Sequence, residues 1–482
     1  MWHRFKSVAR SIGKIALIAI LLIYLTLALG LMAIDRLSKR GQTSEESLVA
    51  HSTEPHELRL FDSGPENFAA RMQMIASARR TLELEFFIYN LDSSSRYFTQ
   101  ALIKKAREGV KVRLLIDFSL PVIQLKPAYA RYLKSQGIEV RYYNAGAFYR
   151  IVSSQHRSHR KLLVVDDQVA MTGGRNIGDE YFDHSPKYNF LDSDIEVHGP
   201  IVQRLLQSFN MYWESGYSRP PKNIDEPLSG KELERAEDAL KERPEDRKAK
   251  DVLLTAGAAR LAVNKPYVCR DLTFVTDFPN QGEDSRRVYR SIVGEVGLAK
   301  TEIVAESPYL VIRTEGFEVM RGLVDKGLRL KILTNGLYST DATYTVASLL
   351  YNIRRLAATG MEVFAYSGAP TAEESFLGFS QTRRWGIHSK RAVIDKKTTL
   401  IGTYNIDPRS ANLNSEMMII CRNQPELARA VLASMNARLE NSRAVAQDKK
   451  ANRLALIEGA TFKQKVALVL LLPLSNLFDF LL

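Results

Sequence analysis

The chain has 482 residues, 45 % apolar and 25 % charged, a globular composition that excludes a mainly disordered, collagenous or coiled-coil chain. A slightly negative mean hydropathy excludes a multi-span membrane protein. Two cysteines, Cys269 and Cys421, exclude a disulfide scaffold and any Cys-rich metal or iron–sulfur site, while a net charge of +13 favours anionic partners.

Ile15 to Ile34 is an uncharged run of 20 residues, enough for one bilayer-spanning helix at about 1.5 Å per residue. Arg4, Lys6, Arg10 and Lys14 precede it; Arg36, Lys39 and Arg40 follow. The basic bias leans toward a cytoplasmic N-terminus. Residues 1–40 are therefore expected to form a membrane anchor. A cleaved signal peptide is the rival reading, with Ala28-Leu29-Gly30 a poor cleavage site. Residues 41–56 are polar and read as a linker.

Two blocks follow, residues 57–218 and 261–445, separated by a charged segment, 219–260, that reads as a solvated helix or linker. The blocks repeat one another. Thr81-Leu-Glu-Leu-Glu-Phe-Phe-Ile-Tyr89 parallels Thr301-Glu-Ile-Val-Ala-Glu-Ser-Pro-Tyr309. Gly109-Val-Lys-Val-Arg parallels Gly327-Leu-Arg-Leu-Lys, and Gly137-Ile-Glu-Val parallels Gly360-Met-Glu-Val. The offsets are 220, 218 and 223 residues, in one order. In the second and third pairs, a glycine stands between a helical pattern and an apolar strand, where a left-handed C-cap is expected. Alternating helices and buried strands predict α/β lobes. The end, residues 446–482, is an amphipathic to apolar tail interrupted by Pro473, either an interfacial hairpin on lipid or a tail packed on the domain.

A fourth pair carries chemistry. His159-Arg-Lys161 is followed after four residues by Asp166, and His388-Ser-Lys390 after four by Asp395. After six intervening residues come Gly173-Gly174-Arg-Asn176 and Gly402-Thr403-Tyr-Asn405. Apolar strands on either side of Asp166 and Asp395 predict two β-hairpins. On an extended strand residues i and i+2 face one side, so His159 points with Lys161 and His388 with Lys390. Asn176 and Asn405 return near the histidine end. Two such clusters facing each other make a phosphate site in which Lys and Asn hold the non-bridging oxygens. One histidine attacks phosphorus and the other protonates the leaving oxygen, with no metal or other cofactor called for. A lone His-x-Lys is usually a surface strand; two copies with matched Asp, Gly and Asn offsets are a site. His156 and His159 lack an accompanying zinc ligand set. Asp166 and Asp395, within the catalytic motifs, sit at the hairpin turns and read as structural orienters or ion-pair partners.

These repeats resemble the phospholipase D superfamily, whose signature is two His-x-Lys-x4-Asp motifs. Gly173-Gly-Arg-Asn-Ile-Gly-Asp-Glu-Tyr181, the run from Gly402 to Glu416, and Phe190-Leu-Asp192-Ser-Asp194 are most similar to bacterial cardiolipin synthases of the C type. The resemblance implies two homologous α-β-α lobes forming one pseudo-twofold catalytic unit. It also implies a phosphohistidine on His159, with His388 as general acid and then base. A downstream carboxylate would orient each histidine: Glu416 fits the second lobe, and Asp192, or alternatively Asp194, the first. The family pattern Gly-Ser-x-Asn departs here to Gly174 in the first lobe and Thr403 in the second, so only the second keeps a hydroxyl.

The implied activity is phosphatidyl transfer at a membrane: cardiolipin is made from phosphatidylethanolamine or phosphatidylglycerol as donor and phosphatidylglycerol as acceptor. The alternative is a phospholipase D releasing phosphatidic acid; a nuclease ranks lower, and no nucleic acid is expected as partner. A non-catalytic lipid binder would need a broken motif, and both are intact. The expected location is the bacterial inner membrane, with a single N-terminal span and the catalytic lobes outside the cytoplasm.

Overall fold

The computed structural model describes residues 49–119, 122–145, 155–279, 286–369 and 384–475, with Leu22, Thr26, Leu29, Gly30 and Asp479 besides. The expected anchor, residues 1–40, otherwise lies outside the described residues. Among the described residues no helix is long and apolar enough to cross a membrane.

The chain folds as mixed α/β around two large sheets. The first carries the run Ile138–Tyr143, Lys111–Asp117, Thr81–Phe86, Leu162–Val165, Val169–Gly173, Asp194–His198 and His56–Phe61. The second repeats that order with Glu362–Tyr366, Arg329–Asn335, Glu302–Glu306, Arg391–Ile394, Thr398–Gly402, Met417–Cys421 and Leu272–Thr276. Period-two burial sorts each strand. Leu163 and Val165 face a core under the first sheet's outer helices, whereas Leu162 and Val164 face a central layer. Helices Val202–Glu214 and Pro425–Glu440 fill that layer between the sheets with Leu205, Phe209, Val431 and Met435.

The repeat is visible in backbone detail. Gly109, Gly137, Gly327 and Gly360 end helices with φ between 86° and 89°, the left-handed region that only glycine enters freely. The first repeat pair needs a correction. Leu82 faces Val165 while Ile303 faces Ile394, so Glu85 matches Glu306 at an offset of 221, not 220. Period-two strands score nearly as well when slipped by one residue, but a slip would turn every side chain to the wrong face.

The linker at 41–56 also needs correction. Val49–Ser52 is a strand pairing with Leu272–Thr276, and Tyr267–Cys269 in return pairs with His56–Phe61. Each sheet thus receives at its edge a strand from the segment leading into the other, which satisfies backbone groups otherwise left unpaired. A disulfide joins Cys269 to Cys421. The charged segment 219–260 holds two helices, Gly230–Leu240 and Pro244–Leu261. The second lies against the helix Gly64–Ser77, with Gly257 directly against Pro65, and Asp246 pairs with Arg96 at 2.6 Å. In the tail, helix Phe462–Leu471 buries Leu468 in the second lobe's core while Phe462, Val469 and Leu470 stay exposed.

Both hairpins turn through consecutive left-handed residues, Asp166-Asp167 and Asp395-Lys396, a type I′ geometry that matches strand twist. The Asp166 carboxylate accepts from the backbone N–H groups of Arg79, Arg80 and Thr81 at 2.7–2.8 Å. Asp395 does the same with Lys300, Thr301 and Glu302 at 2.8–3.1 Å. The motif aspartates therefore tie the far end of each hairpin to the neighbouring strand and are not among the groups at the histidines. Burial raises the Asp166 pKa, but these donors outweigh it and hold the carboxyl below the ordinary aspartate value. Its contribution to stability is present above that ordinary value and is lost as pH falls through the depressed one. Asp166→Ala is expected to cost about 1–2 kcal/mol of stability with little change in kcat; a thermal melt alongside a kinetic assay checks this.

Candidate active site

The two motifs meet because each lobe's motif bonds to the other lobe's chain. His159 N–H donates to the Ser415 carbonyl (3.0 Å) and Ser415 N–H to that of Arg157 (2.8 Å). On the other side, Arg384–Ile387 runs parallel to Tyr188–Leu191, and His388 N–H donates to Leu191 O at 2.7 Å. The residues after Ser415 and Leu191 are Glu416 and Asp192. These ladders therefore carry each carboxylate to the opposite lobe's histidine.

His159 Nδ1 lies 3.0 Å from Glu416 Oε2 and 3.0 Å from the Thr403 carbonyl. A carbonyl only accepts, so Nδ1 carries the hydrogen and Nε2 the free lone pair. His388 Nδ1 lies 2.5 Å from Asp192 Oδ2, and the same tautomer follows because the Asp192 carboxylate is ionised. Both pairings cross the lobes. This corrects the expectation that Glu416 serves the second lobe and Asp192 the first. The alternative, Asp194, is spent on Arg175 (3.1 Å) and Arg71 (3.6 Å).

Lys161 and Lys390 complete the cluster, both buried, each ammonium donating to the carbonyl of its own motif histidine. Burial, with the Lys390 charge, lowers Lys161 to about 7; burial, opposed by Asp192 and Glu416, lowers Lys390 to about 8. Burial and both lysines hold His159 well below its ordinary value. Burial and Lys390, against the pull of Asp192, bring His388 to about 4. Both imidazoles are thus neutral near pH 7. Burial would raise Asp192, but the His388 contact and the Lys390 charge outweigh it and keep the carboxylate ionised. Burial raises Glu416 to about 7 against the Lys161 charge and the Thr403 hydroxyl.

The asparagines differ. Asn176 accepts from Ile88 N–H (3.0 Å) and donates to the Tyr181 hydroxyl (3.0 Å). Asn405 has a buried amide oxygen without a hydrogen-bond partner among the described residues. Thr403 Oγ1 donates to Glu416 at 2.5 Å. The matching Gly174 has no room for a side chain: a Cβ there would sit 2.0 Å from Asp192 Oδ1. The missing hydroxyl is therefore a steric requirement of the Asp192 position. Gly174→Ala is expected to displace Asp192, cost about 1–3 kcal/mol and lower kcat about 10- to 100-fold. A melt and a kcat that both match the parent protein would contradict this.

Sequence reasoning missed a supporting set. Glu85 pairs with Arg160 (3.0 Å) and accepts from Ser158, and its match Glu306 pairs with Arg391 (3.1 Å) and accepts from Ser389. Asp277 accepts from Glu416 N–H (3.0 Å), and Asp62, one register position away in the other lobe, pairs with Arg391 (2.8 Å). By register Asp62 matches Thr276, whose hydroxyl accepts from Arg160 (2.7 Å) as Asp62 accepts from Arg391. His156 is buried with Nδ1 3.3 Å from the Leu413 carbonyl. Among the described residues, no three His, Cys, Asp or Glu side chains cluster to hold a metal.

Comparison with known proteins agrees with this geometry. The family model "Cardiolipin synthase, PLD-like domain" matches residues 72–213 and 292–439, one segment on each sheet. Cardiolipin synthase C of Escherichia coli is 28 % identical over 405 residues, covering 77 % of this chain and 83 % of that one. Cardiolipin synthase 1 of Bacillus anthracis is 26 % identical over 370 residues, covering 75 % and 62 %. The crystal structure of a phosphatidylserine synthase from Haemophilus influenzae superposes with a TM-score of 0.64 at 15 % identity, over 88 % of this chain and 95 % of that one, a likeness of fold. With both segments matched, the chain belongs to the cardiolipin synthase PLD-like domain family and is an enzyme of the phospholipase D type.

Proposed function

We propose that this enzyme makes cardiolipin by moving a phosphatidyl group from phosphatidylethanolamine or phosphatidylglycerol to phosphatidylglycerol. One observation carries the reading. Two neutral imidazoles, each with Nδ1–H held by a carboxylate of the other lobe, lie in one cluster with two buried ammonium groups. His159 Nε2 attacks phosphorus while His388, neutral in the free enzyme and protonated from solvent as the anionic phosphate enters, gives that proton to the departing head-group oxygen. The anionic phosphate and Asp192 both favour that imidazolium. Neutral His388 then takes the proton of the phosphatidylglycerol hydroxyl, whose oxygen attacks phosphorus and releases His159. Protons and bonds balance over the two steps. His159 is favoured as nucleophile because two acceptors, Glu416 and the Thr403 carbonyl, hold its Nδ1–H. Lys161, Lys390 and the Asn405 amide would hold the non-bridging oxygens.

The cluster binds phosphate best when both lysines are protonated. With Lys161 at about 7 and Lys390 at about 8, kcat/KM is expected to fall as pH rises through that range. Proton loss there removes positive charge from the free enzyme. A pH–rate profile with a monomeric short-chain phospholipid checks this; a flat profile between pH 6 and 9 would contradict it.

A membrane location with the lobes on the extracytoplasmic side rests on the apolar run and basic flanks of residues 1–40. It also draws support from the Cys269–Cys421 disulfide, a bond at home in oxidising compartments. The deciding experiment uses the full-length protein on mixed vesicles of phosphatidylglycerol and phosphatidylethanolamine, the donor head group isotope-labelled, with products read by mass spectrometry. Cardiolipin with released ethanolamine supports the synthase and names its donor; cardiolipin with released glycerol names phosphatidylglycerol. Phosphatidic acid alone replaces the reading with hydrolysis.

A further inference from the structure

The two lobes differ in one respect that the repeat does not require. In the first, the layer between the sheet and its outer helices is filled. Phe68, Met72 and Ile75 on helix Gly64–Ser77 and Phe98 and Leu102 on helix Ser93–Arg107 are all buried there. In the second, helix Arg287–Gly297 buries Val288, and helix Thr314–Asp325 buries Phe317 and Leu323. Ile292, Val293, Val296, Val319 and Met320 stay partly open and line a cavity of about 400 Å³, the size of a small-ligand pocket. Its floor is the sheet face of Ala305, Leu330, Ile332, Ala392 and Leu400. Close-packed interiors hold few voids larger than a water molecule.

The cavity touches the catalytic cluster at one residue, Lys390. Lys390 lines it together with Ala392, its neighbour two residues along the same extended run. A molecule filling the space would lie with its apolar length on the sheet face and a polar end among Lys390, Arg391, Glu306 and Asp407. At the rim, Arg313 pairs with Asp479 of the tail at 3.5 Å, and that tail presents the exposed side chains Phe462, Val469 and Leu470. This supplies an apolar surface, continuous in chain with the rim, for contact with a bilayer.

We infer that the second-lobe cavity binds one acyl chain of the bilayer phospholipid whose phosphate sits at Lys390, so that the enzyme measures chain length as well as head group. The inference rests on the phosphatidyl-transfer reading above.

The test compares dioleoyl- and dihexanoyl-phosphatidylglycerol, each at the same mole fraction in detergent micelles, with the full-length protein. Val319→Trp, which fills the cavity from helix Thr314–Asp325, is expected to lower the ratio of kcat/KM for the long chain over the short by about tenfold or more. Val293→Trp repeats the test from helix Arg287–Gly297, should the first variant fold poorly. A ratio unchanged in a folded variant, whatever the absolute rates, overturns the inference and leaves phosphatidyl transfer standing. No turnover of either lipid by the unmodified protein overturns the transfer reading and the inference with it.

Discussion

Replacing His159 by alanine is expected to lower kcat on phospholipid by about 10⁴- to 10⁶-fold, the loss seen when a covalent nucleophile is removed and only binding and charge stabilisation remain. His388→Ala should also abolish measurable turnover of natural lipid, for a different reason: the head-group oxygen leaves without a proton. A phosphodiester carrying p-nitrophenol separates the two roles, because its leaving group needs no acid. On it the first release of p-nitrophenol by His388→Ala should regain about 10²-fold or more relative to its loss on lipid, and by His159→Ala nothing. Full activity in either variant would refute the two-histidine mechanism. Rescue of His159→Ala in place of His388→Ala would reverse the assignment.

The carboxylates provide the second large effect, and it follows from their crossing between lobes. Glu416→Gln and Asp192→Asn keep shape but remove the negative charge beside each Nδ1–H and can turn an amide N–H toward it. A wrong tautomer puts the hydrogen on Nε2, where the lone pair is needed, and about 10²- to 10⁴-fold in kcat is expected to be lost. Because Glu416 serves His159, Glu416→Gln should fail on the p-nitrophenyl substrate as His159→Ala does. Asp192→Asn should be partly rescued on it, like His388→Ala. Same-lobe pairing would exchange these two outcomes, so measuring both variants on both substrates distinguishes the arrangements.

Much of this was legible in the sequence because a duplication writes each constraint twice. The four helix-ending glycines, the two hairpins and the two His-x-Lys motifs stand at matched offsets, and the fold places them as the local patterns require. The pairing of each histidine with a carboxylate was not legible. It joins residues 257 and 196 positions apart and depends on how two sheets dock, which no local pattern encodes. Gly174 looked like a lost hydroxyl; only the 2.0 Å approach of Asp192 explains it. The motif aspartates were grouped with the catalytic residues by spacing, while their hydrogen bonds serve the turns. The second-lobe cavity left no mark in the periodicity, because Val293, Val319 and Met320 are apolar whether they fill a core or line a pocket.

The central claim is a covalent phosphatidyl group on His159. Rapid mixing of His388→Ala enzyme with the p-nitrophenyl phosphodiester analogue of the donor lipid, quenched in alkali and digested for mass spectrometry, tests it most directly. The account predicts the phosphatidyl mass on the peptide containing His159, formed with p-nitrophenol release, and its absence in His159→Ala. The same mass on the His388 peptide of the parent enzyme, or p-nitrophenol release with no adduct on either histidine, would contradict it.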